Sequence, residues 1–324
     1  MTTYKGIRGL TIQTVDGDPS NLAAGDIWYD SAARKLQGAK IVAGTWAAGA
    51  DFNTPRGGKM SAGQTYDTSM IAGGESVTAT ETYDGTSWTE VANPGEQHPQ
   101  TAGGGSQTAA WMCTGTPGDK TSGEEWNGAS WSDANDCNSG QQQRAGSGPQ
   151  TAAIMMGSEP ATDNVEAYDG TNWTEVANTP TSIKGSESAG TSTAAILLCG
   201  KTPGGPQAAE TWDFNGSAFT AAADTNTTRF EFGSLGLTAE ACMCLGGTID
   251  AGGTTRTDNV EEYDGTTWAE SANLEAISAQ GDGAGTSAAG IMMHGYTGPY
   301  GGGSTPVSTE EWTHGAGAVT FTSS

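Results

Sequence analysis

The phrase Glu81-Thr-Tyr83-Asp84-Gly85-Thr-Ser-Trp88 constrains this chain more than any other feature, because it returns five more times. It comes back nearly verbatim at 166–173 and 261–268, and in looser form at 124–131, 210–219 and 310–319. Successive central aromatics lie 42 to 51 residues apart. A period of that length means a repeat fold, in which each copy buries its apolar face against its neighbours.

Each copy reads as two short strands and a tight turn. Asp84-Gly85 suits the turn, since Gly takes positive φ freely and Asp tolerates it. The equivalent pairs are Asn127-Gly128, Asp169-Gly170, Asn215-Gly216, Asp264-Gly265 and His314-Gly315. Glu81, Glu124, Glu166, Glu210, Glu261 and Glu310 each stand two residues before the central aromatic, on the same side of the strand. A catalytic acid is needed once, whereas a residue needed in every copy belongs to the copy's own hydrogen bonding. The six are therefore expected to be structural. The aromatic alternates as Tyr83, Trp126, Tyr168, Trp212, Tyr263 and Trp312, so the unit reads as a pair of motifs present three times, with pseudo-threefold symmetry. The return strand carries Trp88, Trp131, Trp173, Phe219 and Trp268, then Val319 in the sixth copy, and its tryptophans are expected to pack between adjacent units.

Two further strands complete each unit. One is Gly-rich, as at Ala102-Gly103 and Ala145-Gly146; the other is apolar, as at Ile154-Met155-Met156 and Ile291-Met292-Met293. Gly recurring in a strand implies close backbone approach, which innermost strands around an axis would need. The apolar run suits a middle strand covered on both faces. Four strands in 40–50 residues, six times over, predict an all-β, six-bladed β-propeller over residues 41–324.

Residues 1–40 stand outside the repeat as an N-terminal lead, with a short hairpin expected across Gly25–Asp30 and Arg34–Leu36. Lys5, Arg8, Arg34, Lys35 and Lys40 make the lead less acidic than the rest, which fits docking onto an acidic partner. Trp46 resembles a return-strand tryptophan without its own hairpin. Either this segment or Ala318–Thr322 is expected to complete the last unit, and the residues leave that choice open.

The formal charge of −24 argues against nucleic acid and anionic membranes, since phosphate binding needs a cationic footprint. No apolar run approaches a membrane span, and the N-terminus lacks the apolar core of a secretory signal. Cys113, Cys137, Cys199, Cys242 and Cys244 read as buried thiols, and Cys242-x-Cys244 lacks the second ligand pair of a metal site. His98, His294 and His314 do not pair at metal-ligand spacing or beside a nucleophile. No enzyme activity, cofactor or metal is expected.

A Gly-rich strand, an apolar strand ending near Gly73-Gly74, then Glu-x-Tyr-Asp and a following Trp resemble the kelch repeat. The resemblance covers residues 46–322 and implies a β-propeller. The double glycine recurs at Gly246-Gly247 but is reduced at Gly115 and Gly157. The phrases Gly148-Pro-Gln-Thr-Ala-Ala153 and Glu261–Trp268, with the Gly25-Asp-Ile-Trp-Tyr-Asp30 lead, resemble kelch-like structural proteins of tailed bacteriophages, especially marine ones. That resemblance implies a virion protein assembled in the host cytoplasm: a tail fibre or other appendage in several copies on the particle, anchored to virion partners through residues 1–40. Its loops would meet a partner or a host-surface glycan. Tyr296 and Tyr300, in the long loop 296–308, are the candidate sugar-stacking residues. The alternatives are a pure capsid or tail assembly or decoration protein, and a propeller enzyme acting on host polysaccharide.

Overall fold

The computed structural model describes residues 13–16, 27–41, 44–116, 120–296, 307–314 and 316–320. They divide into two compact units, one from 1–45 with 314–324 and one from 46–313.

The larger unit contains six four-stranded antiparallel sheets, here I to VI, given from the innermost strand outward. Sheet I is Met60–Gly63, Ser69–Ala72, Thr80–Tyr83 and Trp88–Val91. Sheet II is Ala102–Ser106, Ala109–Cys113, Gly123–Trp126 and Trp131–Ala134. Sheet III is Ala145–Ser147, Ala153–Met156, Thr162–Tyr168 and Trp173–Ile183. Sheet IV is Glu187–Thr191, Ala194–Lys201, Gln207–Phe214 and Phe219–Ala221. Sheet V is Gly233–Thr238, Ala241–Leu245, Val260–Tyr263 and Trp268–Glu270. Sheet VI is Asp282–Thr286, Ala289–Met293 and Thr309–Thr313, with Thr45–Ala48 as its outermost strand.

Each innermost strand adjoins that of the next sheet, and that of VI adjoins that of I. This crowding explains the glycines. A Cβ on Gly146 would stand 2.8 Å from the Gly103 amide nitrogen, and one on Gly283 would stand 2.3 Å from the Ser234 carbonyl oxygen. The apolar middle strands are fully covered, as at Ile154, Met155 and Met156.

The return-strand tryptophans reach back to the preceding sheet. The indole nitrogen of Trp88 donates to Ala50 O at 3.0 Å, that of Trp268 to Ala223 O at 3.0 Å, and that of Trp131 to Thr80 Oγ1 at 3.0 Å. The alternation is visible in ring geometry. Tyr83–Trp88, Tyr168–Trp173 and Tyr263–Trp268 are stacked, each with centroids 4.9 Å apart and planes 24–27° apart. Trp126–Trp131, Phe214–Phe219 and Trp46–Trp312 are tilted by 36–44°.

Two expectations are corrected. In sheet IV the residue before the Asn215-Gly216 turn is Phe214, which pairs with Phe219 as Tyr83 pairs with Trp88. Trp212 therefore takes the place that Glu81 holds in sheet I, and Glu210 is exposed rather than part of a repeated carboxylate set. The turn sets the register, and the Glu-x-Trp match lies two residues upstream of it. The second correction concerns the last sheet. Trp46 is the return residue of sheet VI, whereas the strand Ala316–Thr320, which holds Val319, pairs with Lys35–Ile41.

The smaller unit is therefore built from both chain ends, and the larger one runs from 46 to 313 rather than from 41 to 324. The smaller sheet has Ile27–Asp30 antiparallel to Lys35–Ile41 and parallel to Gln13–Val15. Trp28 is buried in it, and Asp30 Oδ1 accepts the Ala32 and Ala33 amides of the turn. Gly25 and Asp26 of the lead lie outside the described residues. No helix among the described residues is long and apolar enough to cross a membrane.

Candidate functional site: clamps and a polar channel

Five of the repeated carboxylates are buried, and each is met by donors from the loop that leads into its own sheet. Glu166 accepts from the Asn138 backbone amide at 2.7 Å, Asn138 Nδ2 at 3.0 Å and Arg144 Nη1 at 2.7 Å. Glu81 is held likewise by Asn53, the Thr54 amide and Arg56, and Glu261 by Asn226, the Thr227 amide and Arg229. In sheet II, His98 of the leading loop stands in for the arginine; in sheet VI the Glu275 and Ala276 amides of the leading loop reach Glu310, and His294, just after the second strand, joins them. His98 Nε2 lies 3.2 Å from Glu124, and His294 Nε2 lies 2.7 Å from Glu310. Sheet IV has Trp212, packed beside Ile183 and Phe219, in the place of the carboxylate.

The tyrosine hydroxyls make a second link. Tyr168 donates to Glu125 of sheet II at 3.0 Å, and Tyr83 donates to Glu311 of sheet VI. Burial and the neighbouring carboxylate push the Tyr83 phenol up to about 12. At the matching place before Tyr263 stands the shorter Asp213, whose charge faces that tyrosine. Two of the three Tyr-type sheets, I and III, are thus tied by a tyrosine hydroxyl to the Trp-type sheet before them.

The innermost strands surround a cavity of about 350 Å³, open to water. Its mouth carries a belt of six equivalent residues, Gly58, Gln100, Gln143, Gly185, Glu231 and Gln280, each two positions before an innermost strand. All six have left-handed backbones, with φ between 51° and 58°. The Gln100 amide donates to Gly58 O at 2.7 Å, Gln143 to Gln100 O at 2.9 Å, Glu231 to Gly185 O at 2.8 Å and Gln280 to Glu231 O at 2.7 Å.

Two residues deeper, Glu187 and Asp282 line the cavity from sheets IV and VI, with Gly233 of sheet V at the matching place between them. Burial raises Asp282 to about 6, against the opposing pull of Lys59. Burial, then the charge of Asp282, raises Glu187 well above the carboxylate range. Burial lowers Lys59 to about 8; its Nζ donates to Met293 O at 3.2 Å and His294 O at 3.4 Å.

The sequence reading missed this channel set. Its signal is positional: Gln143-Arg-Ala-Gly146 and Gln280-Gly-Asp-Gly283 repeat a polar residue at fixed distance before a Gly-rich strand. Of the proposed stacking residues, Tyr300 lies outside the described residues, as do 117–119 and 297–306 of the long loops. Tyr296 sits at the mouth end of sheet VI, bridged to Ala279 by paired backbone bonds of 2.8 and 3.1 Å. Its hydroxyl donates to Glu75, its ring covers Gly57, and Arg256 lies 5.9 Å from the ring centroid. The structure spends this ring on packing between sheets VI, V and I. The five cysteines are buried and unbridged, and among the described residues no three His, Cys, Asp or Glu side chains group as metal ligands.

Stacked four-stranded sheets with adjoining inner strands define an all-β protein of propeller-like architecture. The solved structure of a protein called YjhT has that likeness, with a TM-score of 0.65 over 80% of this chain and 95% of the other. At 12% identity the likeness is one of fold. No family profile and no curated protein sequence matches the chain.

Proposed function

We propose that this chain is a six-bladed kelch-type propeller that serves, without catalysis, as a particle-mounted structural and binding protein of a tailed phage. The observation that carries the scaffold reading is the use made of the repeated acids. Five of them are consumed in buried clamps that fix loop to strand, as expected of residues required by the unit rather than by a reaction. The particle role rests on the phage-like phrases at 25–30, 148–153 and 261–268.

Charge partition supports anchoring through the smaller unit. Residues 1–45 and 314–324 hold five basic and four acidic residues, whereas 46–313 hold eight basic and 33 acidic. The nearly neutral unit approaches an acidic particle surface without the repulsion the larger one would meet. Loops of the larger unit then meet a virion partner or a host-surface glycan.

Quantitative mass spectrometry of purified particles from the source tests this reading. Presence at fixed stoichiometry is expected, with few copies for a tail appendage and many for a capsid decoration. Absence from particles discards the virion role.

A further inference from the structure

Opposite the end of its second strand, each sheet but one buries a β-branched residue: Thr80 in sheet I, Val165 in III, Thr211 in IV, Val260 in V and Thr309 in VI. Sheet II has Gly123 there, paired across the strands with Cys113. Glycine weakens a strand, so its use at this place needs a reason. A Cβ on Gly123 would stand 3.5 Å from Cys113 Sγ, and the missing side chain leaves room beside that thiol. Cys137, in the loop between sheets II and III, packs in the same apolar cluster as Cys113.

Thr121 brings the two cysteines together. Its carbonyl oxygen accepts from the Cys137 amide at 2.9 Å and from Cys113 Sγ at 3.4 Å. The Cys113 thiol also hydrogen-bonds the Cys137 side chain, and that contact, then burial, pushes it well above the usual thiol range. Cys113 is therefore a poor first nucleophile. Cys137 is buried, but Asp136 and Asn138 on either side of it are exposed, so a small opening of the loop bares its sulfur. A second pair gives the contrast. Burial, then a hydrogen bond with Cys199, raises Cys244. Both lie on the second strands of sheets IV and V, and their chain neighbours are buried as they are. No small opening reaches them.

We propose that Cys113 and Cys137 form an intramolecular disulfide in the space left by Gly123 when the protein meets a low-molecular-weight disulfide such as oxidised glutathione. The Cys137 thiolate attacks one sulfur of that disulfide and expels the other half as a thiolate, leaving a mixed disulfide on Cys137. Cys113 then attacks Cys137 Sγ and expels the second half. Two protein thiols are oxidised, one small disulfide is reduced to two thiols, and the two protons pass to the departing thiolates. The bond closes a loop containing the third and fourth strands of sheet II and ties down the segment bearing Asn138, a donor to Glu166. The fold is thus tighter in oxidising surroundings than in reducing ones. The inference goes beyond the particle role and does not depend on it.

The test incubates the folded, fully reduced chain with oxidised glutathione, blocks free thiols with iodoacetamide and maps the peptides by mass spectrometry. The expected product has Cys113 joined to Cys137, with Cys199, Cys242 and Cys244 alkylated. Its urea midpoint should lie above that of the reduced chain, and a reductant should return it. Cys137→Ser should leave the remaining thiols free, whereas Cys113→Ser should stop at glutathione on Cys137. Gly123→Val, which keeps both thiols and restores the residue that sheets III and V carry, should slow formation of the bond severalfold. Circular dichroism establishes that each variant is folded. Five free thiols after incubation, a bond that joins any other pair, a lower midpoint for the oxidised chain, or an unchanged rate in folded Gly123→Val overturns the proposal.

Discussion

A carboxylate denied water must be answered by several donors, and Glu166 shows how completely these sheets do so. Two bonds come from Asn138 and an ion pair from Arg144, with both charged side chains fully buried. Removing one partner leaves the other buried and unpaired, at a cost of about 3–5 kcal/mol. Arg144→Met should therefore lower the urea midpoint strongly, whereas Glu210→Gln, on the exposed residue of sheet IV, should stay within about 0.5 kcal/mol. Equal losses would mean that burial does not separate the two sites. The channel acids act on pH dependence in the opposite sense to the usual carboxylate. Folding raises Asp282 to about 6 and also raises Glu187, both chiefly through burial, so the folded chain holds their protons more tightly than the unfolded one. Their charged forms subtract stability above that range, and the loss is recovered as pH falls through about 6 toward the unfolded carboxyl value of about 4. The melting temperature should rise over that interval, and Asp282→Asn should flatten the rise. A steeper rise in the variant would contradict the assignment.

Between neighbouring sheets, the tryptophan of each return strand does the joining. Trp173 and Trp268 are each 7% exposed and stack on their tyrosines in the same geometry. Replacing either by Ala should cost about 3–5 kcal/mol, and widely unequal losses in chemical denaturation would mean the Tyr-type sheets are not equivalent. Tyr168→Phe removes a bond to a carboxylate, worth about 1.5–3 kcal/mol, and should loosen sheet III from sheet II. Tyr263→Phe should cost less, because no comparable bond reaches Asp213. The repeating phrase made these elements legible, since Asp-Gly turns and strand alternation are local. Sheet IV was misread because Glu210-Thr-Trp212 imitates the motif, while the register is fixed two residues later by Phe214 and the Asn215-Gly216 turn. The clamps and the channel ring were hidden for another reason. Arg144 and Glu166 meet through folding alone, and Gln100 and Gln280 become neighbours of one cavity from positions 180 residues apart. An Asn-x-x-Arg spacing at Asn53–Arg56 and Asn226–Arg229 was the nearest local trace.

For the whole molecule, the division into two units sets an expectation. A chain trimmed to residues 45–313 should keep the near-ultraviolet signature of its tryptophans and unfold cooperatively, while losing incorporation into particles if the smaller unit is the anchor. A trimmed chain without tertiary signal would show that the larger unit needs the smaller. The order in which the ring is completed has its own effect during synthesis. Thr45–Ala48 is the outermost strand of sheet VI, whose other strands come from 282–313. At about 5–20 residues per second, a ribosome needs roughly 10–50 s to reach them. Throughout that time the nascent chain displays an unpaired strand and the open flank of sheet I, surfaces that invite pairing with another chain. Crowded translation of many copies is therefore the moment of greatest aggregation risk for this protein, and the abundance of acidic side chains along the emerging sheets holds such chains apart until the first strand meets the last sheet.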